Sequence, residues 1–134
     1  MDIKRHYFYG LDRIIYLYEC AFNHINTEGE KVRKECKNGC LTTYITGEID
    51  HHSAQVARIE IENELERTGS KILQMDFSGV SFMDSAGIGL ILGRYRKMQE
   101  TGGELRIVGA SPRIEKMMKM AGLSTLNVIK KKVD

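Results

Sequence analysis

The sequence predicts an α/β domain in which a mixed, mostly parallel sheet of about four to five strands is covered by helices. Three observations carry that expectation. From residue 40 onward, apolar stretches with strand character alternate with stretches of helical period, the order that produces crossover connections. Asn38-Gly39, between two short strand-like runs, marks a tight hairpin because both residues accept positive φ. A chain of 134 residues, 42% hydrophobic and 28% charged, suits one domain with one core.

Taken in order, the first element is LDRIIYLYECAFNHI, which sets Leu11, Ile14, Ile15, Tyr18, Phe22 and Ile25 on one stripe at helical spacing. Residues 1–28 therefore read as an N-terminal extension built on an amphipathic helix, and 29–134 as the domain. Strands are expected near 32–36 and 40–46. After Gly47, EIDHHSAQVARIEIENELERTGS brings Ala54, Ala57, Ile61 and Leu65 to one helical face, with Gly69 suited to the C-terminal cap. KILQMDF reads as a strand leading to a loop that holds Ser85. A helix over 85–101 would turn Ile88, Ile91, Leu92, Tyr95 and Met98 to the core, with Gly102 ending it. ELRIVGA is the next strand. Ser111-Pro112 supplies a cap and a proline where its missing N–H does no harm. Ile114, Met117, Met118 and Ala121 then form an apolar face closed by Gly122, with Met120 pointing away, and LNVIKK is a final strand candidate.

Composition narrows the function classes. A net charge of +2 gives no pull toward nucleic acid or an anionic membrane, and Lys130-Lys131-Lys132 reads as a solvated tail. No apolar run approaches the ~20 residues of a membrane span. Glu19 and Asn23 interrupt what would otherwise resemble a signal peptide. Cys20, Cys36 and Cys40 are an odd set, pointing to a reducing, cytoplasmic setting with buried or partly buried thiols. Cys36 and Cys40 with His51 and His52 fit no common zinc spacing, so neither metal nor cofactor is expected.

The stretch FMDSAGIGL places one serine between an aspartate and glycines, and Ser85 admits four readings. It suits a helix N-cap, a contribution of ~1 kcal/mol. It suits a hydrolase nucleophile less well, because the elbow requires glycine on both sides and Met83 stands where the first belongs. Gly87, Gly89 and Gly93 are one position off a dinucleotide fingerprint, and the next strand ends without the acidic residue that would hold a ribose. Finally, Ser85 suits a phosphoacceptor. Glycines in a first helical turn cost up to ~1 kcal/mol each, which either close packing of the helix against the sheet or close approach by another protein's active site would explain. A phosphate there would meet free N–H groups and the positive end of the helix dipole.

MDFSGVSFMDSAGIGLILGRYRKMQETGGELRIVGASPRIEKMMKMAGL, with ITGEIDHHSA upstream, resembles the STAS domain of anti-sigma factor antagonists, and among these the antagonists of the anti-sigma F factor in spore-forming bacteria. The resemblance spans 44–128 without a gap. It implies a STAS-like fold and a regulator of transcription in sporulation rather than an enzyme. It also implies that Ser85 is phosphorylated by an anti-sigma factor that is itself a serine kinase, with a serine phosphatase resetting the switch. The unmodified form would bind that kinase and release a sigma factor. ATP would belong to the partner. Asp84, Ala86, Gly87, Gly89 and Arg94, with Gly47, Glu48 and Asp50 from a neighbouring loop, form the expected partner contacts. Two features depart from the family: the extension of residues 1–28, suited to covering the domain or to homo-oligomer formation, and an early stop after LNVIKK. Ala86 also replaces a frequent second hydroxyl. The rival expectation is a STAS scaffold or sensory module that is never phosphorylated and binds a small ligand or nucleotide.

Overall fold

Asn38 and Gly39, with φ of +53° and +76°, close a hairpin between β1 (Val32–Lys37) and β2 (Cys40–Ile49). The strands pair antiparallel from Val32 opposite Ile45 to Lys37 opposite Cys40. In this computed structural model residues 32–132 are described. The Gly39 carbonyl also accepts the N–H groups of Lys71 at 3.1 Å and Ile72 at 3.2 Å, which seats the start of β3 (Ile72–Met83) on the hairpin turn.

Between β2 and β3 runs α1 (His51–Thr68), and β3 returns parallel to β2. α2 (Ser85–Glu100) then leads to β4 (Glu104–Val108), parallel to β3. The order across the sheet is β1-β2-β3-β4. α3 (Pro112–Met120) and a 3₁₀ turn over Leu123–Leu126 complete the described elements. Ser111 caps α3 by accepting the Ile114 N–H, with Pro112 at the first helical position. This is the mixed, mostly parallel sheet covered by helices expected from the sequence, with four strands.

Alternation sets the core. Leu41, Ile45 and Ile49 of β2, Leu73, Met75 and Phe77 of β3, and Leu105 and Ile107 of β4 are buried together with Ala54, Ala57, Ile61 and Leu65 of α1. The α1 stripe is therefore the one expected, and Gly69 ends the helix in the left-handed conformation at φ +63°.

Several expectations need correction. β2 continues to Ile49, so Gly47 to Ile49 are strand rather than loop, and β3 continues to Met83 rather than stopping at Phe77. The parallel pairing of the two strands carries both beyond their most apolar residues, across register shifts near Thr46 and Glu48. In α2 the buried residues are Gly87, Leu90, Ile91, Arg94 and Met98, while Leu92 is exposed. Ala121 is exposed and Met117 only half-buried, because α3 ends at Met120. Met120 is exposed, as its phase required. LNVIKK makes a 3₁₀ turn and a single parallel bridge, Ile129 to Ile107, rather than a strand. Cys36 is exposed on the hairpin. Lys132 is not simply solvated, since its ammonium lies 3.1 Å from Asp76. The helix expected over residues 11–25, and Cys20, lie outside the described residues. Among the described residues no helix is long and apolar enough to cross a membrane.

Candidate functional site

β2 and β3 finish level, with Ile49 opposite Met83 and the Asp84 N–H donating to the Ile49 carbonyl at 3.2 Å. Each strand hands over to an aspartate that starts a helix, so two helix N-termini lie side by side beyond the carboxyl ends of parallel strands. In open α/β sheets that end is where binding sites are built.

Asp50 starts α1 with a complete capping box. Its Oδ1 accepts the Ser53 N–H at 2.9 Å, and Ser53 Oγ accepts the Asp50 N–H at 2.9 Å. The Ser53 N–H and hydroxyl hold the Asp50 carboxyl below the usual carboxylate range, with the neighbouring His52 adding to the effect. Asp84 starts α2 in the same extended conformation, accepting the Ala86 N–H at 2.8 Å. Ser85 is therefore the first helical residue and not the cap, because the carboxylate one position earlier already takes the free N–H. The serine is exposed, and among the described residues its hydroxyl has no hydrogen-bond partner.

The glycines divide by environment. Gly87 is buried. A Cβ built on it would lie 2.1 Å from Met83 Cγ and 2.3 Å from Met83 Sδ, so its lack of a side chain lets α2 lie against the end of β3. It is a packing residue, which is one of the two readings the first-turn glycines left open. Gly89 is exposed, with nothing within 4 Å of an added Cβ. Gly47, at φ +80°, is half-buried where β2 shifts register, and it turns Glu48 outward.

Arg94 also departs from expectation. It is 4% exposed, with Nη2 2.7 Å from Glu62 Oε1 on α1. Burial lowers its pKa, Glu62 raises it and Arg58 lowers it. Among the described residues, Nε and Nη1 have no hydrogen-bond partner. Arg94 thus ties α2 to α1 from within the domain, and Arg96 is the exposed arginine of the helix. The surface that remains comprises Glu48, Asp50, Asp84, Ser85, Ala86 and Gly89, with half-buried Asp84 and Ala86 beneath the exposed groups. Sequence reasoning missed Phe82, which is 44% exposed next to Met83. Alternation past Phe77 does not point to it, because after the register shift Val80 is buried while Gly79 and Ser81 are exposed.

A family model described as STAS domain matches residues 31–134. Among known proteins, the anti-sigma F factor antagonist of Paenibacillus polymyxa is 30% identical over 93 residues, covering 69% of this chain and 80% of that protein. The anti-sigma-B factor antagonist of Listeria monocytogenes is 30% identical over 97 residues, covering 72% and 84%. Among solved structures, the anti-sigma factor antagonist SpoIIAA in its unphosphorylated form superposes with a TM-score of 0.68 at 26% identity, over 77% of this chain and 89% of that one. The phosphorylated form of SpoIIAA from Bacillus gives 0.63 at 26% identity, over 77% and 92%.

Proposed function

This chain belongs to the STAS-domain family, and from that premise we propose that it is an anti-sigma factor antagonist whose docking is switched by phosphorylation of Ser85. The observation that carries the reading is one exposed hydroxyl, unengaged by its own fold, at the first position of a helix already capped by Asp84. A cap serine is occupied by its helix. This one is free to react. Open space at Gly89, one turn on, favours approach by another protein.

The partner is an anti-sigma factor with serine kinase activity, which brings ATP. Ser85 Oγ attacks the γ-phosphorus, ADP leaves, and the hydroxyl proton passes to a base on the kinase. The product carries about −1.5 to −2 charges and three acceptor oxygens in place of a donor. Free N–H groups and the dipole at the start of α2 let this fold tolerate the phosphate. A partner surface shaped for a neutral hydroxyl would instead face a desolvated dianion next to Asp84, with Asp50 and Glu48 on the neighbouring strand end adding to the acidity. Losing ~3 kcal/mol weakens binding more than a hundredfold. The unmodified form holds the anti-sigma factor and frees the sigma factor; the phosphorylated form lets go until a serine phosphatase resets it.

Incubation with the anti-sigma kinase and ATP, read by intact mass and site mapping, tests this. One phosphate should enter wild-type protein at Ser85, and none should enter Ser85→Ala, which still binds. Labelling of Ser85→Ala at normal stoichiometry would overturn the assignment.

A further inference from the structure

On β3, between β2 and the edge strand β4, Asp76 is a buried carboxylate, 3% exposed. It is the last β3 residue paired to β4, opposite Val108. Its Oδ1 accepts the Ser78 N–H at 2.8 Å, and its Oδ2 lies 3.1 Å from Lys132 Nζ, which also donates to Ser78 Oγ at 3.0 Å. Gly109 is shaped to this arrangement. At φ +74° it leaves room where a Cβ would fall 2.2 Å from Ser78 Oγ and 2.9 Å from Asp76 Oδ1. Sheet, bulge and following loop together make a seat for one ammonium group.

That ammonium belongs to a segment held otherwise by one bridge and by Val128 in the core, with Ile129 half-buried against it. After Asn127, at φ +56°, residues 128–132 run beside β4 through one bridge. Ile107 N–H donates to the Val128 carbonyl at 2.8 Å and the Lys130 N–H to the Ile107 carbonyl at 2.8 Å, with Val128 the buried apolar side chain. Segments held this thinly open locally while the core stays closed. Lys132 is half exposed and loses little in leaving, whereas Asp76 would keep a buried charge without its counter-ion.

We propose that residues 128–132 are a detachable strap, latched by the Asp76–Lys132 ion pair. Closed, it occupies the N–H and C=O of Ile107, which would otherwise face out from an edge strand open to pairing with other chains. It also walls a cavity of about 460 Å³ bounded by Ile107, Gly109, Ala110 and Lys119. Open, it bares both. This inference is independent of the Ser85 reading.

Amide hydrogen exchange on the full chain tests it. Lys132→Ala should speed exchange at the Ile107 and Lys130 amides at least tenfold while leaving Leu73 and Met75 unchanged. Lys132→Arg, which keeps the cation, should stay within about threefold of wild type. Unchanged rates at Ile107 and Lys130 in Lys132→Ala would overturn the latch. A rise in step with Leu73 and Met75 would overturn it equally, because the strap would then open only with the whole domain. Trypsin cleavage after Lys131, slow in wild type and at least tenfold faster in Lys132→Ala, gives a second readout that needs no amide assignment.

Discussion

Side by side at the ends of β2 and β3, α1 and α2 both begin at an aspartate in extended conformation, yet their first turns are built differently. In α1 the third helical residue is Ser53, which returns the cap's hydrogen bond and reaches on to the Glu48 carbonyl at 2.9 Å. In α2 the third residue is Gly87, which has no side chain to return and instead lets Met83 pack against the helix. The first turn of α1 spends its polar groups on itself. α2 leaves the Ser85 hydroxyl unspent. The same cap residue therefore begins a locked structural turn in one helix and a turn with an unengaged hydroxyl in the other.

The sharpest way to break this contrast is to put permanent charge where α2 has a hydroxyl. Ser85→Asp should weaken binding to the anti-sigma factor by a hundredfold or more, measured by calorimetry, while melting stays near wild type because the site is exposed and tolerates an anion. The glycines come next. Gly87→Ala must push against buried Met83 and should cost 1–3 kcal/mol in chemical denaturation. Gly89→Ala, in open space, should raise stability by up to ~1 kcal/mol while slowing phosphorylation, separating access from packing. Arg94→Met should cost about 1–2 kcal/mol rather than the 3–5 of a broken buried pair, because Glu62 keeps Arg58 and is 34% exposed. Its phosphorylation rate should match wild type, as fits a residue buried between α1 and α2.

The smallest effect is a titration. The folded pKa of Asp50 is lowered, so its cap contributes above the ordinary carboxylate value and is lost as pH falls through the lowered one. Ser53→Ala removes the side-chain donor, and the Asp50 midpoint followed by carboxyl NMR should move up toward the ordinary value. No movement would mean that the box adds nothing to what the bare helix start provides.

Much of this was legible in the residues, wherever a local rule decided the outcome. The α1 stripe, the Asn38-Gly39 turn, the Ser111-Pro112 start and the exposure of Met120 each follow from spacing or backbone preference alone. The failures share a non-local cause. Arg94 lies in phase with Gly87, Leu90, Ile91 and Met98, whereas the stripe expected through Ile88 and Leu92 left the arginine out. What admits Arg94 to the interior is Glu62, 32 residues away on another helix. Ser85 passed for a cap because serine and aspartate are nearly equal as caps, and only the end of β3 decides which one comes first. The long ends of β2 and β3 were hidden because Gly47, Gly79 and Ser81 read as turn residues, while mutual pairing carries the strands through them.

The turn at Gly39 has a kinetic consequence. Its carbonyl receives the amides that begin β3, so the short-range hairpin is a template to which a strand more than 30 residues later must be matched. Closing that loop is slow compared with forming a hairpin. A lesion at Asn38-Gly39 should therefore appear mainly as retarded refolding, with the rate of unfolding scarcely altered.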